Sequence, residues 1–110
     1  MVPFTWLLLG HLAGDFLFQN RLMAENKQKK WLILILHSIV YTFFIFLFSI
    51  PFGGLSVTSV FIIILTHIIL DDKRIINWWT KYITNTNEKY LTIIVDQTFH
   101  LLILALILHT

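Results

Sequence analysis

The sequence predicts an all-α fold: a polytopic membrane protein in which four transmembrane helices form one bundle with both termini outside. Three observations lead to this fold class. Four apolar runs are separated by polar loops, and each run is the length of a membrane-crossing helix. Apolar residues make up 57% of the chain and charged residues only 13%, with a mean hydropathy of +0.79, which a water-soluble surface would not tolerate. All the lysines and arginines fall in two loops.

Each apolar run is close to the roughly 20 residues that a helix needs to cross about 30 Å of hydrocarbon. Within a single domain of residues 1–110, the predicted spans are 2–19, 31–50, 55–70 and 90–109. The tight turn Pro51-Phe52-Gly53-Gly54 makes the second and third helices antiparallel neighbours. The first run lacks the basic start and the cleavage site of a signal peptide, so it is interpreted as a helix.

The two basic loops predict the orientation. They carry Arg21, Lys27, Lys29 and Lys30 after the first span, and Lys73, Arg74, Lys81 and Lys89 after the third. Because basic loops stay on the cytoplasmic side, both loops are expected in the cytoplasm. Residues 72–74 are expected to form a solvated helix end, and residues 75–79 an interfacial extension with its tryptophans at headgroup level. The formal charge of +2 is too scattered to indicate nucleic-acid binding.

Ionisable or phenolic side chains recur four residues apart on every predicted helix. The pairs are His11 with Asp15, His37 with Tyr41, His67 with Asp71, and Asp96 with His100. Residues at this spacing share a helix face. Since an ionisable group inside a bilayer is costly unless it meets another polar group, we expect the pairs to converge inside the bundle, in its cytoplasmic half.

Such a cluster predicts a divalent metal ion, with zinc favoured and manganese or iron as alternatives. The chain has no cysteine, so the ligands must be nitrogen and oxygen atoms. The predicted metal ligands are His11, Asp15, His67, Asp71 and His100. Asp96 is a further ligand or a general base, His37 and Tyr41 are candidate catalytic groups, and Gln19 and Gln97 would complete the polar shell. For each pair, a hydrogen bond that only fixes helix packing is the alternative.

Taken together, these motifs resemble an uncharacterised family of small bacterial and phage membrane proteins, classified as a domain of unknown function. The resemblance rests on His11-Leu-Ala-Gly-Asp15-Phe-Leu-Phe-Gln19, Met23-Ala24, Lys27, His37 with Tyr41, His67-x3-Asp71 and Asp96-Gln97-x2-His100. It covers nearly the whole chain and supports the choice of site residues, but it implies no activity. We therefore expect a multi-pass protein of the bacterial cytoplasmic, or inner, membrane.

Two local resemblances bear on function. The His-x3-Asp pair on two helices is similar to the transport site of cation diffusion facilitators and, more loosely, to small membrane-bound metal-dependent hydrolases. Three functions stay open: a metal-dependent hydrolase acting on a phosphate ester or lipid, a carrier of divalent cations or protons, and a structural subunit of a larger complex. The hydrolase is favoured because the outer half has no second polar gate. A homo-oligomer is expected, and the carrier requires one.

Overall fold

A computed structural model describes residues 2–17 and 31–108, and over these ranges the chain is all-α, which confirms the all-α part of the predicted fold class. The helices are α1 (Pro3–Leu12), α2 (Trp31–Ser49), α3 (Val57–Asp71), α4 (Arg74–Tyr82) and α5 (Lys89–Ile107). A π-helical turn, Ala13–Leu17, continues α1, and a 3-10 turn, Ile50–Phe52, continues α2. Gln19, Met23, Ala24, His109 and the basic residues between 21 and 30 lie outside the described residues.

Four of the helices pack in a ring. α1 contacts α2 and α5, and α3 contacts the same two helices from the other side. The shorter α4 packs across α3 and α5 at one end of the bundle. Each of the four ring helices therefore presents one face to a common interior.

Two glycines set the closeness of α1 to α2. A methyl group on Gly14 would lie 3.0 Å from the Cα atom of Tyr41, and one on Gly10 would lie 3.0 Å from the carbonyl oxygen of Phe44. Glycines four residues apart remove side chains from one helix face, so the two backbones approach closely. This contact brings the π-helical turn against the middle of α2.

The turn between α2 and α3 forms as its residues predict. Pro51 lies at the start of the 3-10 turn, where its fixed φ is tolerated. Gly53 and Gly54 then adopt positive φ angles of 107° and 85°, which only glycine takes without strain. Ser56 caps α3 by accepting a hydrogen bond from the backbone N–H of Ser59.

The interior of the bundle holds many polar side chains, whereas its outer surface carries many large apolar ones. Among the described residues, twelve buried residues are polar or charged and ten are apolar. Large apolar side chains such as Leu32, Phe43, Phe61 and Leu102 are more than half exposed. Two helices, Trp31–Phe52 and Lys89–Ile107, are long and apolar enough to cross a membrane. Helix α3 has 15 residues and a length of about 22 Å, which is shorter than the roughly 30 Å of a full membrane span.

The interior divides into two halves along the bundle. The half next to the α2–α3 turn, here called the apolar half, is filled by Leu7, Ile45, Ile63, Leu104 and Ile107, each at most 2% exposed. The half next to the α3–α4 junction, here called the polar half, holds the histidines and aspartates. The ring of Tyr41 belongs to the apolar cluster, while its hydroxyl group bonds to the polar half.

Candidate metal centre

All four ring helices contribute to the polar half. α1 and its π-helical turn supply His11 and Asp15, α2 supplies His37, α3 supplies His67 and Asp71, and α5 supplies Asp96 and His100. None of these residues is more than 8% exposed. The predicted convergence of imidazole and carboxylate groups from four separate helices is therefore found in the structure.

The closest contacts between a histidine ring and a carboxylate group join different helices. Oδ1 of Asp15 lies 3.1 Å from Nε2 of His37 and 3.4 Å from Nε2 of His67. The same Nε2 of His37 lies 3.3 Å from Oδ2 of Asp71. Ligands at about 2.0 Å from a tetrahedral zinc ion are separated by about 3.3 Å, so these spacings fit the edges of such a site. The ligand-capable atoms of Asp15, His37 and His67 all lie within 4.8 Å of one another.

The imidazoles of His67 and His100 are oriented through their Nδ1 atoms. Nδ1 of His67 lies 3.0 Å from the hydroxyl oxygen of Ser38, and Nδ1 of His100 donates to the backbone carbonyl of Asp96 at 2.7 Å. When Nδ1 is the donor in such a bond, Nε2 keeps a lone pair for a metal. Among the described residues, none hydrogen-bonds to Nε2 of His100, although this atom is buried. His67, Asp71 and His100 form a second group whose ligand-capable atoms lie within 4.8 Å of each other.

His11 is engaged differently from the other histidines. Its Nε2 donates to the amide oxygen of Gln97 at 2.6 Å, and its Nδ1 accepts from the Tyr41 hydroxyl at 2.7 Å. The Tyr41 ring stacks on His67 with a centroid distance of 4.0 Å. His11 belongs to neither ligand group within the described part of the chain, and its predicted metal role stays a prediction. This arrangement makes His11 a link between α1, α2 and α5.

Lys73 is the basic residue that enters the polar half from the α3–α4 junction. Its Nζ lies 2.7 Å from Oδ2 of Asp96 and 3.1 Å from Oδ1 of Asp71, and its side chain is 17% exposed. Burial acts to lower the pKa of this ammonium group, but the carboxylates of Asp71 and Asp96 outweigh burial, and the pKa is raised above its usual value. Lys73 therefore stays charged at neutral pH.

This position corrects the expectation of a solvated helix end at residues 72–74. Arg74 does pair with Asp72 at 2.8 Å and is 79% exposed at its side chain, as expected. Lys73 instead turns inward, because a backbone φ of +73° redirects the chain between α3 and α4. The two acidic residues followed by two basic ones, Asp71-Asp72-Lys73-Arg74, indicate local ion pairs. They do not show which basic residue turns inward.

The pairs predicted within single helices are not the shortest contacts. Nε2 of His11 lies 3.9 Å from Oδ2 of Asp15, and Nδ1 of His100 lies 3.5 Å from Oδ1 of Asp96. For His11 and Asp15 the spacing of four residues thus identifies the inward face rather than the bonded partner, whereas His100 does bond to Asp96, through the backbone carbonyl of Asp96. Sequence reasoning also missed Ser38, whose only signal is its place beside His37 on a helix face that already carries a polar group.

A narrow cleft between α3 and α5 reaches two of the candidate ligands. It is bordered by His67 and His100, and its accessible volume of about 10 Å³ holds about one water molecule. The remaining lining is mostly apolar, including Ile63, Leu70 and Ile103. Hydrocarbon side chains therefore border the small space beside these two candidate ligands.

Comparison with known families places the chain in one of them. The family described as "Protein of unknown function (DUF3307)" matches residues 3–110, and the chain belongs to this family. The match confirms the resemblance to a domain of unknown function that the motifs indicated. No curated protein and no solved structure matches the chain.

Proposed function

We propose that this member of a family of unknown function is a multi-pass membrane protein that binds a divalent metal ion, zinc in the first place, in its polar half. We further propose that it uses this ion to hydrolyse a phosphate ester or a lipid. The observation that carries the proposal is the convergence of histidines and aspartates from all four ring helices into two ligand groups that share His67: Asp15, His37 and His67, and His67, Asp71 and His100.

The distribution of side chains supports four crossings of the membrane. The outer surface of α1, α2, α3 and α5 is mostly apolar, whereas polar groups are buried, which is the arrangement that hydrocarbon solvent favours. α3 is short for a full span, and α4, which follows it across the end of the bundle, carries a half-buried Trp79 and an exposed Trp78. Tryptophans of this kind prefer the membrane interface. On this topology the polar half lies towards the cytoplasm.

The burial of the cluster supports a metal rather than packing alone. Nε2 of His37 faces two carboxylate oxygens but can donate only one proton, and Nε2 of His100 has no hydrogen-bond partner among the described residues. A buried polar atom without a partner costs about 1–3 kcal/mol, which a coordinated ion would remove. A helix-packing role alone does not account for this arrangement.

Hydrolysis is favoured over transport by the contrast between the halves. A carrier needs a polar route through the bundle, and the apolar half is closed by Leu7, Ile45 and Leu104, each at most 1% exposed. A one-sided site bordered by apolar side chains, such as Ile63 and Leu70, suits a substrate that reaches it from the membrane. A bound divalent ion polarises a phosphoryl or acyl oxygen and makes water a better nucleophile at neutral pH. Oδ1 of Asp96, which no described residue hydrogen-bonds, is our candidate general base.

The first test is elemental analysis of the protein purified in detergent, before and after a chelator wash. We expect close to one zinc, manganese or iron ion per chain, lost from the variant His100→Ala and kept in a control that changes an exposed residue, Asn87→Ala. No metal after reloading would reject the metal site. Retained metal without hydrolysis of lipid or phosphate-ester substrates, together with ion uptake into vesicles, would move the function to a carrier.

The topology is tested separately by cysteine labelling. The sequence has no native cysteine, so an introduced cysteine is the one labelled. A single cysteine at position 51 in the α2–α3 turn or at position 87 before α5 reports its side of the membrane. With a membrane-impermeant maleimide on intact cells, we expect labelling of Pro51→Cys but not of Asn87→Cys until the cells are opened. Labelling of both positions in intact cells would contradict the proposed orientation.

A further inference from the structure

Lys73 holds two carboxylates from different helices at once. Its Nζ contacts Oδ1 of Asp71 at the end of α3 and Oδ2 of Asp96 near the start of α5. The other oxygen of Asp71, Oδ2, faces Nε2 of His37 in the candidate metal centre. The carboxylate of Asp71 therefore lies between the ammonium group of Lys73 and the proposed ion.

A carboxylate that bridges two cations is the usual connection between the ions of a two-metal site, where the ions are about 3.5–4 Å apart. Here Asp71 takes the bridging position, and a lysine ammonium takes the place of the second cation. Asp96, at 8% exposure, would supply a further oxygen, since its Oδ1 has no hydrogen-bond partner among the described residues. Two buried aspartates thus offer carboxylate oxygens to a cation at the position of the ammonium group.

Lys73 adopts an unfavourable backbone conformation while its side chain contacts the two carboxylates. Lys73 has a φ of +73°, a conformation that costs a side-chain-bearing residue about 1–2 kcal/mol. The conformation places the residue just before α4, with its side chain directed back between α3 and α5. Strain of this kind persists where the surrounding contacts compensate for it, and here the two carboxylate contacts do so.

We propose that Lys73 is a tethered cation that fills a second cation site between Asp71 and Asp96, and so limits the polar half to one divalent ion. This inference rests on the proposed metal site and adds the rule for how many ions it accepts. A fixed positive charge this close repels a second divalent ion and occupies its ligands. Removing the charge, while keeping the two carboxylates, should open the second site.

The test is a zinc titration of the metal-free, full-length protein in detergent, with a chromophoric chelator as competitor. We expect one zinc per chain for the wild type and two for Lys73→Asn, with the second ion bound at least about tenfold more tightly than by the wild type. Asparagine is chosen because it tolerates positive φ better than other side chains. Lys73→Gln, which is closer in length, is expected to give the same two ions.

Three control variants make the result specific. Lys73→Arg keeps the charge, and Lys81→Asn removes an exposed lysine from the opposite end of α4, so both should bind one ion. The double variant Lys73→Asn with Asp96→Asn removes the second site and should return to one ion. Helix content and a monodisperse elution profile show whether each variant is folded.

The outcomes separate this inference from the metal site itself. One ion in folded Lys73→Asn and Lys73→Gln, with unchanged affinity, would overturn the role of Lys73 while leaving the proposed centre intact. Two ions in the wild type would overturn it as well. Absence of zinc from the wild type and from all variants would reject the metal centre and the inference with it.

Discussion

The two halves of the bundle are built by the same four helices but are held together by different interactions. In the apolar half, Leu7, Ile45 and Ile63 make non-directional contacts whose strength depends on filled volume. In the polar half, Asp15, His37 and His67 make contacts whose strength depends on angle, distance and charge. The packing of the apolar half therefore holds the helices in position. Those positions bring the histidines and aspartates of the polar half close to one another.

The division also predicts how each half responds to substitution. A volume-conserving change in the apolar half should be tolerated, whereas an equally small change in the polar half removes a donor or a charge. The following predictions test this contrast, starting with the largest expected effect.

Asp15→Asn should have the largest effect on metal binding. The change keeps the size of the side chain but removes the charge that lies between His37 and His67, so we expect metal affinity to fall by about a hundredfold or more. The measurement is a competitive zinc titration of the folded variant. Asp72→Asn is the matched control, because Asp72 pairs with the exposed Arg74 outside the cluster. Equal affinities for both variants would contradict the assignment of Asp15.

Ile45→Ala should damage the apolar half without removing the metal. Ile45 is 0% exposed on α2, and its truncation leaves a cavity that costs about 2 kcal/mol. Thermal unfolding in detergent measures the loss of stability, and elemental analysis of the folded fraction should still find the ion. Ile39→Ala, on the exposed face of the same helix, should unfold like the wild type. Loss of metal from folded Ile45→Ala would show that the halves are not separable.

Ser38→Ala should weaken metal binding by about tenfold, because the Ser38 hydroxyl orients His67 through Nδ1 without being a ligand. Ser49 provides a control on the same helix, since its hydroxyl donates to the carbonyl of Phe46 in the apolar half. Ser49→Ala should leave zinc affinity unchanged in the same titration. A Ser38→Ala variant with wild-type affinity would show that the ring of His67 is held by packing alone.

Tyr41→Phe should have the smallest effect, because Tyr41 belongs to both halves. The variant loses the hydrogen bond to His11 but keeps the ring that stacks on His67. We expect a loss of about 1 kcal/mol in unfolding free energy with metal retained. Tyr82→Phe, at an exposed position, is the control for stability. If Tyr41→Phe loses its metal, the phenolic oxygen acts on the ion itself.

Much of the helical organisation could be predicted from hydropathy. The predicted spans 31–50, 55–70 and 90–109 correspond to helices at Trp31–Ser49, Val57–Asp71 and Lys89–Ile107. The first span, 2–19, corresponds to α1 and the π-helical turn as far as the described residues extend. A long apolar run and a turn with proline and glycine can be recognised from neighbouring residues alone, without knowledge of how the helices pack.

The partners inside the site could be predicted less well. A spacing of four residues identifies the inward face of a helix, but the contact between Asp15 and His37 depends on how closely α1 approaches α2. That approach depends on Gly10 and Gly14, whose spacing was not used in the prediction. The inward turn of Lys73 depends on a single backbone angle, which no hydropathy pattern encodes.

The π-helical turn at Ala13–Leu17 makes the chain sensitive to length as well as to residue type. Asp15 lies within this widened turn, and its carboxylate reaches α2 and α3 from there. Each residue of an α-helix rotates the chain by about 100°, so the loss of one residue from this turn would swing Asp15 away from both helices even though every site residue was still present. Relatives with the same aspartate but one residue fewer in this segment would therefore need a different ligand at this corner of the bundle.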